Sequence, residues 1–169
     1  MVEIYLVLPI LTKIKIYFFF WRALKEILPT QYNLAKRQIL NNEICQRCYA
    51  SVEGVFHSLV DCKYARNIWK LKPCFSWFES SVYMPFSCFA KKEAERLSRE
   101  EFVLFIGMAW SIWKSRNKVL YGNSREDWHQ VLNRAEILLE SIKVGAPSQS
   151  ISSKTIATQP DIWCPPEPS

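Results

Sequence analysis

Apolar positions near the start of the chain recur at helical spacing. From Lys13 to Leu28, Ile14, Phe18, Trp21, Leu24 and Leu28 fall at three- and four-residue steps, and Ile16, Phe19, Phe20, Ala23 and Ile27 fill most of the rest. The pattern predicts a helix buried on most sides and ended by Pro29. Thr30 is then placed to cap a second, short helix through "QYNLAKRQIL". A loop-rich stretch follows. Asp61 is placed to cap a helix through "CKYARNIWKL", which stops before Pro73. Residues 73 to 97 mix Pro, Ser and aromatic residues, which predicts an irregular connection with a short charged turn of helix.

Ser98 and Glu101 have capping-box spacing, and Phe102, Ile106, Ala109, Trp113 and Leu120 mark the stripe of a long helix that ends near Gly122. Ser124 is placed to cap the next helix, whose stripe is Trp128, Val131, Leu132, Ala135, Leu138, Leu139 and Ile142. The two helices are expected to form an antiparallel hairpin. From Ala146 the chain is rich in Ser, Thr and Pro and has no period, which predicts a disordered linker or tail. No strand run or internal repeat is evident, so the expected class is mainly α.

Composition supports a folded chain: 169 residues, 49% apolar and 14% aromatic, are enough for a core. The net charge of +6 is unevenly spread. Residues 1 to 72 carry eleven Lys/Arg against five Asp/Glu, whereas residues 73 to 169 carry eleven of each. That distribution suits a polyanion partner for the first half, although a solvated basic face would have the same charge. Six cysteines would suit three disulfides in a secreted protein. The amino-terminal "MVEIYLVLPILTKIKIYFFFW" argues otherwise. Glu3 stands where a signal peptide has basic residues, Pro9, Lys13 and Lys15 interrupt the apolar run, and no small-residue cleavage site follows. No charge-free run is long enough for a membrane helix. The expected compartment is intracellular, with nucleus and cytoplasm both open and the cysteines reduced or metal-bound.

The candidate chemistry lies in "ICQRCYASVEGVFHSLVDC", residues 44 to 62. Cys45 and Cys48 form a C-x2-C pair that lets two thiolates converge on one ion, and His57 and Cys62 follow at spacings that complete a tetrahedron. Three thiolates and one imidazole suit a single structural zinc ion and leave no vacancy for a reacting water. The competing reading is buried free cysteines near an incidental histidine. Cys74, Cys88 and Cys164 stand outside this spacing, and His129 reads as a surface residue.

Residues 8 to about 69 also resemble the zinc-binding region found downstream of the reverse transcriptase in plant non-LTR (LINE-type) retrotransposons. The resemblance rests on Lys13, Lys15, Phe20, Trp21, Arg22, Leu28, Pro29, Thr30, Asn33, Leu34, Arg37, Cys45, Cys48, Glu53, His57, Cys62, Ala65, Arg66 and Trp69. More weakly, "WSIWKSRNKVLYGN" resembles a helix that often follows in these elements, and "IWCPPEP" resembles the linker before their ribonuclease H-like domain. Two positions depart from the family: Gly54 replaces a Thr, and "MVEIYLV" replaces an upstream Trp segment. The resemblance implies a zinc-binding-like domain over 8–72, and periodicity and composition add the helical hairpin over 98–144 and the tail over 145–169. It also implies a place between polymerase and nuclease domains in a longer chain.

No catalytic set accompanies the cysteines. There is no Asp-Asp pair among Asp61, Asp127 and Asp161, no Gly-rich phosphate loop among four glycines, and no nucleophile and base apart from the zinc ligands. The expectation is a non-enzymatic module with no small-molecule substrate that contacts RNA or DNA with little sequence preference. Lys36, Arg37, Arg47, Lys63, Arg66, Lys70 and Lys72 would supply phosphate contacts. Tyr49 and Tyr64 are candidates for base stacking, with half-buried packing as the plainer alternative. Two other readings stay open: an adaptor whose helices dock the neighbouring polymerase and nuclease domains, and a decayed retroelement fragment with no cellular role.

Overall fold

The computed structural model describes residues 2–75, 84–122 and 124–144 and is mainly α. Among these residues the only pairing of extended backbone is an isolated bridge between Ile44 and Val52. The tail expected from residue 145, including "IWCPPEP", lies outside them.

The first helix, α1, spans Val2–Leu24, longer at its start than the periodicity predicts. Its end is not made by Pro29. The N–H of Glu26 donates to Ala23 O and that of Ile27 to Arg22 O, both at 3.0 Å, with Glu26 at a φ of 56°. These two bonds are a complete Schellman closure, with a glutamate in the left-handed position that glycine usually takes. Asn33 Nδ2 holds that corner by donating to Glu26 O at 2.7 Å and to Leu28 O at 2.8 Å. One face of α1 is buried through Ile16, Phe19 and Ala23. The opposite face corrects the expectation of burial on most sides: Ile14, Tyr17, Phe18 and Trp21 are 44–70% exposed.

Thr30 caps α2 (Gln31–Lys36) as expected, its Oγ1 accepting from Asn33 N at 3.3 Å. The helix is shorter than predicted, since Gln38, at a φ of 59°, closes it with the same pair of bonds: Gln38 N to Ala35 O and Ile39 N to Leu34 O. After the knuckle of residues 44–52, a π-helical turn runs over His57–Asp61 and leads into α3 (Lys63–Trp69). Cys62, not Asp61, occupies the cap position of α3, and no side chain caps it. Trp69 is buried and donates from Nε1 to Leu59 O at 2.8 Å, which ties α3 back to the π turn.

A 3-10 turn at Pro73–Phe75 precedes α4 (Phe86–Arg96), a full helix where the sequence predicts only a short turn. Phe86, Phe89, Ala90 and Glu93 give it a buried stripe at helical spacing. Its first N–H donates to Glu26 Oε1, a cap supplied from sixty residues away. The capping box of α5 (Arg99–Gly122) forms as predicted: Ser98 N donates to Glu101 Oε2 at 2.9 Å and Glu101 N to Ser98 Oγ at 3.3 Å. Asp127, rather than Ser124, caps α6 (Trp128–Val144), accepting from His129 N at 2.9 Å. Helices α5 and α6 pack as the expected antiparallel hairpin, with Gly107 against Ala135 and Arg134 reaching Ser111 O.

One hydrophobic cluster joins the hairpin to the amino-terminal half. Phe105 of α5 lies at its centre, with the rings of Phe20, Trp69, Phe75, Phe86, Phe89 and Phe102 at 5.4–6.4 Å. Such ring pairs add to the area they bury.

Candidate metal centre

The Ile44–Val52 bridge opens a tight knuckle that contains the C-x2-C pair. Cys45 N donates to Ser51 O at 2.9 Å and Tyr49 N to Cys45 O at 2.8 Å, and Tyr49 takes a φ of 56° to complete the turn. The knuckle brings Cys45 and Cys48 to face the π turn. There, Cys62 N bonds to His57 O at 2.8 Å, a five-residue step that sets His57 and Cys62 on one side.

The four candidate ligand atoms lie within 4.8 Å of one another. Cys45 Sγ is 3.9 Å from Cys62 Sγ, and Cys48 Sγ is 3.4 Å from His57 Nε2. Zinc at about 2.3 Å from sulfur and 2.0 Å from nitrogen places tetrahedral neighbours roughly 3.5–3.8 Å apart, so the donors fit one ion. Cys45 and Cys62 are fully buried, His57 is nearly so, and Cys48 is half-buried. Cys74 and Cys88 do not join the group, and His129 is exposed.

Without metal the donors share protons. Hydrogen bonding between the two thiols pulls Cys45 well below the usual thiol range and pushes Cys62 well above it, with burial raising both. Burial acts against charge on His57, but hydrogen bonds and attraction from Cys45 and Cys48 outweigh it and lift its pKa to about 9. A thiolate–imidazolium cluster of this kind gives up its protons to a metal on binding.

The surroundings complete the site. Asp61 Oδ2 lies 3.3 Å from His57 Nδ1, which fixes the ring so that Nε2 faces the sulfurs. Asp61 therefore serves the histidine, not the start of α3. Arg47 is only 9% exposed. It donates from Nη2 to Ser58 O, stands 5.4 Å over the Tyr64 ring, and its charge favours thiolate at Cys62. That burial leaves Arg47 less open to solvent than the other basic side chains expected to contact phosphate. Tyr64 is half-buried, its hydroxyl donating to Glu126 O at 2.7 Å, which is the packing alternative. Tyr49 is exposed.

Of the other basic candidates, Lys36, Arg37, Lys63 and Lys70 are exposed, Arg66 is half-buried, and Lys72 is half-buried and pairs with Glu136. Gly54 has open space around it, and a Cβ there would meet nothing within 4 Å. The sequence reading gave no role to Arg116. Its guanidinium is fully buried against the carboxylate of Glu53, beside Cys45.

Residues 9–69 match the family model for zinc-binding in reverse transcriptase. The matched stretch holds all four donors, Glu53 and Asp61, and stops at Trp69, before α4, α5 and α6. No curated protein and no solved structure matches the chain. Donor set and family match together identify a zinc-binding region with a Cys3His group placed for one ion.

Proposed function

We propose that this chain is the non-catalytic zinc-binding segment of a retrotransposon-derived reverse transcriptase of the plant non-LTR type, and that it contacts the backbone of RNA or DNA through basic side chains. The observation that carries this reading is the convergent Cys3His group inside the stretch matched as zinc-binding in reverse transcriptase. Four protein donors close the coordination sphere, so the ion's contribution is to hold the knuckle against the π turn. Cys45, Cys48, His57 and Cys62 would hold it. The exposed Lys36, Arg37, Lys63 and Lys70, with Arg66 beside them in sequence, are the phosphate contacts that fit best.

The test has two stages. Bound zinc is measured per chain, and melting is followed with and without a chelator. Zinc at a thousandfold excess over its Kd stabilises by about 4 kcal/mol. At about 2–4 °C per kcal/mol, chelation should lower Tm by roughly 10 °C. RNA binding is then titrated against salt for the wild type and for Lys63→Glu with Arg66→Glu. Binding that weakens steeply with salt and is lost in the charge-reversed chain, with melting unchanged, supports the nucleic-acid role. No binding at low salt removes it.

The exposed apolar face of α1 favours a second reading, an adaptor that docks the neighbouring polymerase or nuclease domain. In that case nucleic-acid binding is absent while zinc still governs melting.

A further inference from the structure

The Glu53 carboxylate is buried four residues before one zinc donor and lies against another. Oε2 accepts the N–H of Gln31 at 3.0 Å and Nη2 of Arg116, while Oε1 accepts Nε of Arg116 at 3.1 Å. The same Oε1 lies 3.7 Å from Cys45 Sγ. Arg116 comes from the middle of α5, far beyond the matched stretch, and is itself fully buried. Its guanidinium stands 4.8 Å over the Trp113 ring, and Nη1 donates to Asn117 Oδ1 at 2.9 Å.

A buried ion pair is weak evidence for stability, because desolvating both charges costs about as much as their attraction returns. This pair has a more specific use. Cys45 and Glu53 are both fully buried, so with zinc bound a carboxylate and a thiolate would face each other with little water between them. Three thiolates around a divalent ion already leave a net negative charge, so an unpaired carboxylate at that distance opposes metal binding. The Arg116 fork engages both carboxylate oxygens and supplies the missing positive charge at the place where the repulsion would arise.

We infer that Arg116 is a positioning residue of the zinc centre: acting through Glu53, it sets the affinity for zinc from outside the segment that supplies the donors. The inference rests on the zinc-binding reading of the Cys3His group and deepens it. In chemical terms, α5 is the outer shell of the metal site. Outer-shell partners typically change metal affinity by about 10–100-fold when removed.

The test is a zinc titration of the full chain in competition with a chromophoric chelator, with far-UV circular dichroism as a check on folding. The variants are Arg116→Met, Arg116→Lys, and Arg116→Met combined with Glu53→Gln. Arg116→Met should weaken zinc binding by about 10–100-fold. Arg116→Lys keeps the charge and should recover most of the loss, and the double variant should do so by removing the carboxylate that needs compensation. Methionine fills nearly the same space as arginine's stem, so a packing role would leave Met and Lys alike and give no rescue by Glu53→Gln. Zinc held as tightly by Arg116→Met as by wild type overturns the inference, and so does a double variant no tighter than the single one. Should Arg116→Met fail to fold, the double variant decides: affinity close to wild type supports the inference, and weakened affinity overturns it. A wild-type chain that takes up no zinc overturns the zinc reading itself, and that outcome is visible before any variant is made.

Discussion

Asp61 stands next to a predicted helix start, where a short acidic side chain ordinarily accepts from the first turn. It instead accepts from His57 Nδ1, four residues back on the π turn, and leaves Cys62 at the start of α3. The choice follows from chemistry: a metal-facing imidazole needs its second nitrogen held, and the carboxylate one turn away is in reach. Asp61→Asn should therefore weaken zinc binding by about tenfold while changing metal-free helicity little. Competition titration and circular dichroism on the same samples check both halves. Were Asp61 a cap alone, helicity would fall and zinc affinity would hold. The four donors were legible because their spacing is local: a C-x2-C turn and an H-x4-C step keep their meaning in any fold that brings the ends together. The residues that orient and neutralise them were not. The partner of Glu53 lies sixty-three positions away, and no periodicity links the two.

At the scale of elements, local signals held where the partner is a near neighbour. Thr30 with Asn33 and Ser98 with Glu101 both form as spaced, and Gly122 ends α5. Other readings failed where capping comes from a distance or closure needs no glycine, and locally at Ser124 and Asp61, where Asp127 takes the cap of α6 and Asp61 turns to His57. The first N–H of α4 is satisfied by Glu26 across the fold, and α1 and α2 end on Glu26 and Gln38 in a conformation that their side chains do not advertise. The turn of the hairpin is held by charge. Glu126 Oε1 accepts from Arg134 and, at 3.2 Å, from Lys118, while its carbonyl receives the Tyr64 hydroxyl. Burial acts to raise the pKa of Glu126, but the hydrogen bonds from Arg134 and Lys118 outweigh it and leave the value below the ordinary 4.5. A carboxylate depressed on folding stabilises above its unfolded pKa and loses that contribution as pH falls through the folded value. Glu126→Gln should thus cost about 1 kcal/mol at pH 7. Denaturant melts at a series of pH values should show wild type and variant converging as pH drops below about 4.5. A gap that persists in acid would assign the loss to packing at the turn.

For the whole molecule, the zinc-binding stretch and the hairpin share one core. Phe105 of α5 stacks on Trp69 of α3 at 5.4 Å and on Phe86 of α4 at 6.2 Å, while Arg116, three turns on, meets Glu53 beside the metal donors. The matched stretch ends at Trp69, and without α5 that indole would lose the ring stacked on it and Glu53 would lose its counter-charge. Phe105→Ala removes the ring on which the others converge and should destabilise by about 3–5 kcal/mol. Because the core crosses the boundary, the loss should appear in one cooperative transition rather than in the hairpin alone. Urea unfolding of the zinc-loaded chain, followed in parallel by tryptophan fluorescence and far-UV circular dichroism, measures this directly. Coincident midpoints that shift together in Phe105→Ala are expected. A hairpin that melts early while the zinc-binding stretch stays folded would mean that the two halves only touch, and that the Arg116–Glu53 pair is made by docking rather than by folding.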